Sequence, residues 1–559
     1  MDSRQLKSRC GKLKTNWSTR NRKIQDWYNM LTLKDELAQE GMESVTSNDP
    51  RTGFNLGKHL ITSSIVAHKI SVEELATAEI AATSYLENYT TKRWTAEETR
   101  YRRMGRQSFK GQLVGLMLAT GWISVFSMVE EDKIWSEVWN PYEVFPEFGR
   151  DGMIEVVHIY SVSPSEANLK AKNMGWNVKT PFTSKSNLYN YWGFDDSGDV
   201  VNGIILGQDF VKELQVDVNL TNLSQKLGKG ILPVFMTPVG GLPDMGAIDA
   251  KWQEHFGEGM VATNEALTKN YDKMLTYTQQ LIRDTANPRW FERSSGETPI
   301  LTEENMFKRG AIFRGAPGED IMALPVPPIP VELSTTMFNY QNMLQRGAFP
   351  WAVYGNIQQQ MSYLAMANIA SAALQVLTPY MDGYRGLLSD LDNYWYNMIE
   401  ESGYRPHKFN MPKNLPEEFE FEVQAEIEIP GFLIQRATVA RMLDPTFRLS
   451  TTTVMDRMFP EIRDSLREQA KARKDDAMMH PKAIMVDQII AYREQAKILR
   501  DAQDVDSAEL YEALAESMKA ELTAPAPQPT GGLASPAEPG RDVYPTREAT
   551  APVEGLGRV

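Results

Sequence analysis

Cysteine is nearly absent: Cys10 is the only one in 559 residues. No intrachain disulfide can form, and no cysteine-based zinc site within one chain. Basic charge is also short. Lys and Arg number 59 against 73 Asp and Glu, for a net charge of −14 and a pI of about 5.2. Proteins that grip nucleic acid tightly are usually basic, so a sequence-reading DNA binder is disfavoured. A conduit through which DNA slides is not, because an acidic lining repels phosphate and prevents sticking. Long apolar runs are missing as well. The longest, about Leu113 to Phe126, is interrupted by Gly115, Thr120 and Gly121 and is too short to span a bilayer. The basic N-terminus has no apolar stretch behind it and does not read as a secretory signal, so a cytosolic site of synthesis is expected.

Catalytic signatures are equally scarce. There is no G-x-x-x-x-G-K-[ST] phosphate loop, no G-x-S-x-G elbow and no H-E-x-x-H pair. The six histidines, His59, His68, His158, His255, His407 and His480, show no metal-ligand spacing and read as structural. Gly257 and Gly259 follow no strand, so a dinucleotide site is unsupported. Phe194 to Asp199 lacks the glycine and late glutamate of a calcium loop and reads as a hairpin turn. No catalytic residue, metal or cofactor is expected.

What is present is a large apolar content. At 63.3 kDa and 42% hydrophobic residues, the chain can bury a sizeable core and should divide into more than one domain. The basic residues Arg4 to Lys23 read as a solvated helix or frayed terminus, with the folded part starting at Trp27. Phe54 to Tyr89 has a helical apolar pattern. Arg100, Arg102, Arg103, Arg106 and Lys110 recur at helical spacing and read as a solvated or salt-bridging face before a DNA contact.

An apolar helix, Gln112 to Thr120, precedes strands at Trp122 to Val129 and near Trp135 to Val138. Ser163-Pro164 is a helix start, with serine capping and proline in the first turn. Ile231 to Met236 reads as a buried strand.

The block from Ile248 to Asp392 is the most informative. Trp252, Phe256, Met260, Leu267, Tyr271, Met274 and Leu281 recur at spacings of mostly three, four or seven, as one helix face would. A Pro- and Gly-rich segment, Pro288 to Pro330, follows, with enough apolar residues for a small α/β module. It is too short to hold an independent core. A second helix, Val331 to Arg346, turns at Gly347. Then come an apolar, amide-rich loop and a long helix from about Ser362 to Glu400, in which Pro379, Gly383 and Gly386 would permit a kink.

Glu418 to Pro430 alternates apolar residues with glutamates, the pattern of a half-buried strand. Nothing distinguishes the environments of those glutamates as a catalytic pair would require, so a solvated face is expected. Glu461 to Leu522 is charged and helical with a break at His480-Pro481. Thr523 to Val559 is rich in Ala, Pro and Gly and reads as disordered.

Two helices clamping a small module, then a loop and a long helix, resemble the stem, clip, tunnel loop and long wing helix of the portal proteins of tailed double-stranded DNA bacteriophages. The fold class expected is therefore α+β and helix-rich, with an α/β wing, two-helix stem, small α/β clip, long wing helix and helical crown. The implied divisions are wing 1–245, first stem helix 246–287, clip 288–330, second stem helix 331–348, tunnel loop 349–361, long helix and remaining wing 362–445, crown 446–522 and tail 523–559.

The resemblance implies a homo-oligomeric ring, twelvefold in the family, at one capsid vertex of the virion. DNA passes through it non-specifically during packaging and ejection. It implies docking of the large terminase and then a head–tail adaptor, contacts with the major capsid and scaffold proteins, synthesis in the host cytoplasm, and no membrane. By position, Trp351, Tyr354, Asn356, Gln358, Gln359 and Gln360 would line the channel. Lys251, Lys269, Lys273 and Arg283 would make stem contacts to DNA or to neighbouring subunits. Trp290, Arg293, Lys308, Arg309 and Arg314 are the clip candidates for terminase or adaptor. The alternatives are another virion structural protein, such as a head–tail adaptor or large tail subunit, and a carboxylate-dependent hydrolase using Glu420 and Glu422.

Overall fold

The computed structural model describes residues 3–35, 37–38, 44–71, 77–176, 178, 181–249, 251–286, 289–294, 296, 299–302, 312–314, 316–324, 330–349, 374–416, 419–427, 451, 454–455, 459, 465–501 and 504–523. The fold is α+β and helix-rich, in two compact units that divide after Ser465.

The first unit opens with helices α1 (Ser3–Asn16) and α2 (Ser18–Leu31), which are part of its core rather than a frayed terminus. Leu6, Cys10 and Leu13 are fully buried. Two of the three basic residues between them are spent on internal partners. Arg9 donates to Glu155 at 2.6 Å and to Glu147 at 2.6 Å, and Lys7 donates to the Gly207 carbonyl at 3.0 Å. The sequence expectation failed because charge was counted without the seven-residue and three-residue spacing of the apolar positions.

Helix α3 (Asp49–Ser63) starts with proline in its first turn. Strand β1 (Ile65–Ser71) and helix α4 (Thr77–Arg103) follow, so the expected continuous helix from Phe54 to Tyr89 is two helices separated by a strand. β-Branched residues at Ile65, Val66 and Ile70 favour that strand.

Helix α5 (Phe109–Thr120) is capped by the Ser108 hydroxyl accepting from Gly111 N–H, and ends at Gly121 with φ 70°. The conformation needs glycine twice over: a Cβ there would also lie 2.3 Å from the Glu258 backbone nitrogen. The turn delivers the chain into β2 (Trp122–Val129), the centre of a three-stranded antiparallel sheet with β3 (Ile134–Val138) and, later, β9 (Val234–Pro238). β2 is buried along almost its whole length, with the small Ser124 and Ser127 buried among its apolar residues.

A five-stranded antiparallel meander lies between these strands in sequence. It runs β4 (Val144–Gly149), β5 (Gly152–Val162), β6 (Ser186–Phe194), β7 (Val200–Leu206), β8 (Asp209–Val216) in that spatial order. The Asp195–Asp199 segment is the β6–β7 hairpin turn, where Asp195 Oδ1 accepts from Ser197 and Asp199 N–H. Helix α6 (Pro164–Asn173) has the expected Ser163 cap, and α7 (Val218–Leu227) is capped by Asp217 and ends at Gly228.

The remaining elements of this unit are helix α8 (Glu265–Ala286), the two-stranded hairpin β10 (Trp290–Arg293) and β11 (Asp320–Ala323), helix α9 (Val331–Arg346), helix α10 (Thr378–Ser402) and strand β12 (Glu420–Glu426). α10 buries Tyr384, Leu387, Leu388, Leu391 and Trp395 against the sheets. Pro379 sits in its first turn, and the expected earlier part of this helix, from about Ser362, lies outside the described residues up to 373. Gly383 serves close packing: a Cβ there would meet Val239 at 2.8 Å.

β12 pairs antiparallel with β1, Ile65 opposite Glu426 and Ser71 opposite Glu420. Its burial alternates as its sequence does, with Phe421, Val423 and Ala425 inside.

The second unit contains α11 (Ser465–Met478), α12 (Pro481–Asp501) and α13 (Val505–Thr523), with the break at His480-Pro481 where proline stops the preceding helix.

Candidate functional site: a sparsely covered helix pair and its hairpin

The first helix of the pair is shorter than the sequence suggested. Trp252, Phe256 and Met260 precede it, in a segment with single 3-10 turns at Trp252–Glu254 and Ala262–Asn264. Gly257, at φ 86°, breaks the helical path between them. Their apolar spacing serves a different purpose. Trp252 and Phe256 join Trp17 and Trp122 in an aromatic cluster, with centroids 4.7 Å (Trp252–Phe256), 5.6 Å (Trp122–Phe256) and 5.4 Å (Trp17–Trp122) apart. This cluster encloses the Arg20 guanidinium, 4.7 Å from the Trp17 ring and donating to the Pro141 and Val144 carbonyls at 2.9 Å each.

From Glu265 onward α8 runs antiparallel to α9. Three side-chain bonds fix the register: Asn264 Nδ2 to the Leu344 carbonyl at 2.8 Å, Gln341 Nε2 to Tyr271 Oη at 2.6 Å, and Thr278 Oγ1 to Met337 S at 3.4 Å. The base of α8 is tied to the segment before α3, where Ser47 N–H donates to Asp272 Oδ1 at 2.9 Å and Val45 N–H to Thr276 Oγ1 at 3.1 Å. Burial pushes the Asp272 carboxyl up to about 6, with Asp49 and Asp35 adding in the same direction. A cavity of about 720 Å³ sits at this base, between the start of α3 and both helices, lined by Phe54, Met260, Tyr271, Leu344 and Phe349 among others.

Burial stops short of the far end. The buried residues of α8 are Thr268, Tyr271 and Thr276, and that of α9 is Leu344, near its C-terminus. Beyond them large apolar side chains face solvent: Tyr277 and Ile282 on α8, Trp290, Phe291, Met322 and Leu324 at the hairpin, and Val331 and Phe338 on α9. Val331 is 78% and Phe338 62% exposed. Isolated exposed apolar residues are ordinary; a run of them on two adjoining helices and their hairpin marks a surface made for contact. A two-stranded hairpin is also marginal alone in water.

The sequence-derived residues fall as follows. Lys269 pairs with Glu265 at 3.0 Å on α8. Lys273 is exposed and Arg283 half-buried on the same helix. Lys251 is exposed but lies before the helix, next to the Trp252–Glu254 turn. Trp290, Arg293 and Arg314 are exposed at the hairpin and its connection. Trp351, Tyr354, Asn356, Gln358, Gln359, Gln360, Lys308 and Arg309 lie outside the described residues.

Of the basic stretch that starts in the last turn of α4, Arg102 and Arg103 are exposed, while three residues bond within the chain. Arg100 bonds Glu97 at 2.8 Å and the Ser136 carbonyl, Arg106 pairs with Glu137 at 3.2 Å, and Lys110 donates to the Ser64 carbonyl at 2.7 Å. Burial lowers the Lys110 ammonium to about 8.

Among the described residues no three His, Cys, Asp or Glu side chains are placed to hold a metal ion. His68 Nδ1 lies 2.5 Å from Asp392 Oδ2 in the core, where Trp94 Nε1 also donates to Asp392 at 2.8 Å. His158 is stacked on Trp139 at 4.1 Å, and burial lowers its pKa. The Glu420, Glu422 and Glu426 side chains point outward from β12. Among the described residues no helix is long and apolar enough to cross a membrane.

No protein-family model matches the chain, and no curated protein does. Its backbone is similar to chains of solved gene transfer agent (GTA) particles. A chain from the neck of an empty GTA particle computed with C6 symmetry is 11% identical, with a TM-score of 0.40 over 74% of this chain and 90% of that one. A chain from the neck of a native GTA particle computed with C12 symmetry is 11% identical, with a TM-score of 0.36 over 73% and 89%. A chain from the virion of a native gene transfer agent particle is 12% identical, with a TM-score of 0.38 over 73% and 89%.

Proposed function

We propose that the chain is the subunit of a homo-oligomeric ring, the portal of a phage-type particle, acting as a conduit for double-stranded DNA and a docking platform for the packaging motor and the head–tail connector. The observation that carries this reading is the helix pair α8–α9 with its β10–β11 hairpin. It is a module anchored at one end and apolar at the other, with Trp290, Phe291, Val331 and Phe338 exposed on a single chain. Surfaces of this kind are stabilised by neighbouring copies, and a subunit whose contacts are head-to-tail forms a ring where the rotation between copies closes.

The element order supports the same reading: helix, hairpin, helix, a further segment, then the long helix α10. The net charge of −14 suits a passage through which a polyanion must slide without sticking. On this reading Lys273 contacts neighbouring subunits or the phosphate backbone, and the hairpin, with Trp290 and Arg293, receives terminase and then the adaptor. The same surface would also serve another oligomeric virion protein.

The test is the mass of the purified chain by light scattering, with negative-stain images of the same peak. Twelve copies of 63.3 kDa give about 760 kDa, and a central hole is expected. A monomer, or an open filament without a hole, would overturn the proposal.

A further inference from the structure

The outer edge of a sheet presents unpaired N–H and C=O groups, and in the first unit side chains cap most of them. On β3, Val138 N–H donates to Tyr101 Oη at 2.7 Å, Ile134 N–H to His407 Nε2 at 3.3 Å, and Arg100 donates to the Ser136 carbonyl. On β12, Arg385 donates to the Ala425 carbonyl at 2.7 Å, Val423 N–H to Ser389 Oγ at 2.9 Å and Phe421 N–H to Asn393 Oδ1 at 2.8 Å. On β4, Trp17 and Arg20 donate to the Pro146 and Val144 carbonyls. β8 is blunted by an irregular register and by Lys212 and Glu213.

β9 has neither protection. It bonds β2 through its odd-numbered residues and their neighbours in step: the Pro233 carbonyl accepts from Ser127 N–H at 2.9 Å, and Val239 N–H donates to the Gly121 carbonyl at 2.7 Å. Val234 and Met236 therefore turn their N–H and C=O groups to the outer edge. Among the described residues none of these four groups has a partner. Val234 is 4% and Met236 5% exposed, so leaving them unpaired is costly. The edge borders a groove of about 1350 Å³, lined also by Phe148, Met153, Tyr394, Leu415 and Phe419. The Tyr394 hydroxyl is buried without a partner as well. Three lysines and three carboxylates line the groove, and Lys226 pairs with Glu400 at 2.9 Å. Such a lining does not select a polyanion; unpaired backbone groups select another backbone.

The chain carries a segment suited to it. Directly after β9, residues 241–249 are all exposed, Ile248 at 81% and Leu242 at 57%. Leu242 N–H is held by the His255 carbonyl at 2.7 Å. From Pro243 to Ile248 the hydrogen bonds are short-range, Gly246 N–H to Asp244 Oδ1 at 2.8 Å and Ile248 N–H to the Met245 carbonyl at 2.8 Å. We propose that residues 243–249 of one copy add as a strand to the free edge of β9 in a second copy. Pairing through Asp244, Gly246 and Ile248 leaves Pro243, which has no N–H, on the outward parity where no donor is needed. Met245 and Ile248 then reach opposite faces of the groove. Asp244 and Asp249 give the arm the charge opposite to Lys413, an exposed groove lysine. Arm to groove is a heterologous contact and repeats from copy to copy. The inference rests on the ring reading above and adds a contact independent of the α8–α9 module.

The full-length chain tests it in two measurements. Hydrogen exchange at the Val234 and Met236 amides is expected to slow about tenfold or more when rings form. Rings are also co-assembled from equal amounts of two variants at exposed positions, Ile248→Cys on the arm and Lys413→Cys at the groove, and treated with a short bis-maleimide. The native Cys10 is fully buried and does not compete. The mixture is expected to give a covalent dimer on denaturing gels that neither variant gives alone. A ring whose Val234 and Met236 amides exchange as in the unassembled chain would overturn the edge pairing and leave the ring standing. Protection without the mixed dimer would overturn the arm as the added strand. A chain that is monomeric by light scattering would overturn the ring and this inference with it.

Discussion

Several buried charges are held in different ways. Arg20 is 1% exposed and has no carboxylate partner among its bonds; three aromatic rings and two backbone carbonyls surround it instead. Burial lowers its pKa to about 9, and the carbonyl and ring partners are what keep the cost bearable. Asp392 is fully buried and shared by His68 and Trp94, which come from two different elements, so it joins α10 to β1 and α4. Asp392→Ala is expected to destabilise the first unit by about 3–5 kcal/mol, because both partners are left in the core without their acceptor. Denaturant titration followed by tryptophan fluorescence measures it, and a loss below about 1 kcal/mol would mean the network is not needed.

Asp272 behaves in the opposite sense. Its folded-state pKa of about 6 lies above the ordinary 3.8, so the protonated form is favoured on folding. Its contribution to stability is complete below the ordinary value and is lost as pH rises through about 6. Asp272→Asn keeps the acceptor for Ser47 N–H and removes the titration. The variant should flatten the stability profile between about pH 4 and pH 7, and gain on the order of 1 kcal/mol at neutral pH after allowing for solvent screening. An unchanged profile in thermal melts across that range would show that Asp272 does not titrate there.

At the scale of elements, β12 separates its two faces cleanly. Phe421 is 2% exposed and stacks on Tyr396 at 4.9 Å, while Glu420 and Glu422 face outward. The double change Glu420→Gln, Glu422→Gln is expected to shift stability by no more than about 0.5 kcal/mol and to leave assembly intact. Phe421→Ala should cost about 3–5 kcal/mol. A loss of folding in the glutamate variant would mean these carboxylates are partnered in the assembled protein.

That strand was legible because burial on one face imposes a period of two on the sequence. β2, α9 and the Ser163 cap of α6 were legible for the same kind of reason: a largely apolar run, a helix bounded by proline and glycine, and a capping pair. The start of α8 was not. Trp252, Phe256 and Met260 keep helical spacing because they pack on Trp122, Trp17 and Gly57 from outside a helix. Only the backbone at Gly257 distinguishes the two cases. The break at β1 was hidden because Ile65, Val66 and Ile70 also fit a helical pattern. The N-terminal helices were misjudged because Arg9 and Arg20 find their partners more than a hundred residues away.

Over the whole molecule, the candidate site was legible as an arrangement rather than as a set of reacting groups. Helix, Pro- and Gly-rich module and helix could be read in order. Which side chains remain uncovered could not, because that depends on where the anchor ends. The structure puts that limit at Thr276 on α8 and Leu344 on α9, and Phe338 lies beyond it, 62% exposed. This makes Phe338 a test of what the surface is for. Within one chain it packs on little, so Phe338→Glu should leave the melting temperature of the unassembled chain within a few degrees of the parent. If α9 instead packs on neighbouring copies, a carboxylate there is desolvated without a partner, and ring formation should fall at least tenfold at equal protein concentration. Sedimentation velocity with circular dichroism reads both quantities on one sample. A ring that forms as well as the parent would place the contact surface elsewhere on the chain. A variant that fails to fold would mean that Phe338 is covered within its own subunit.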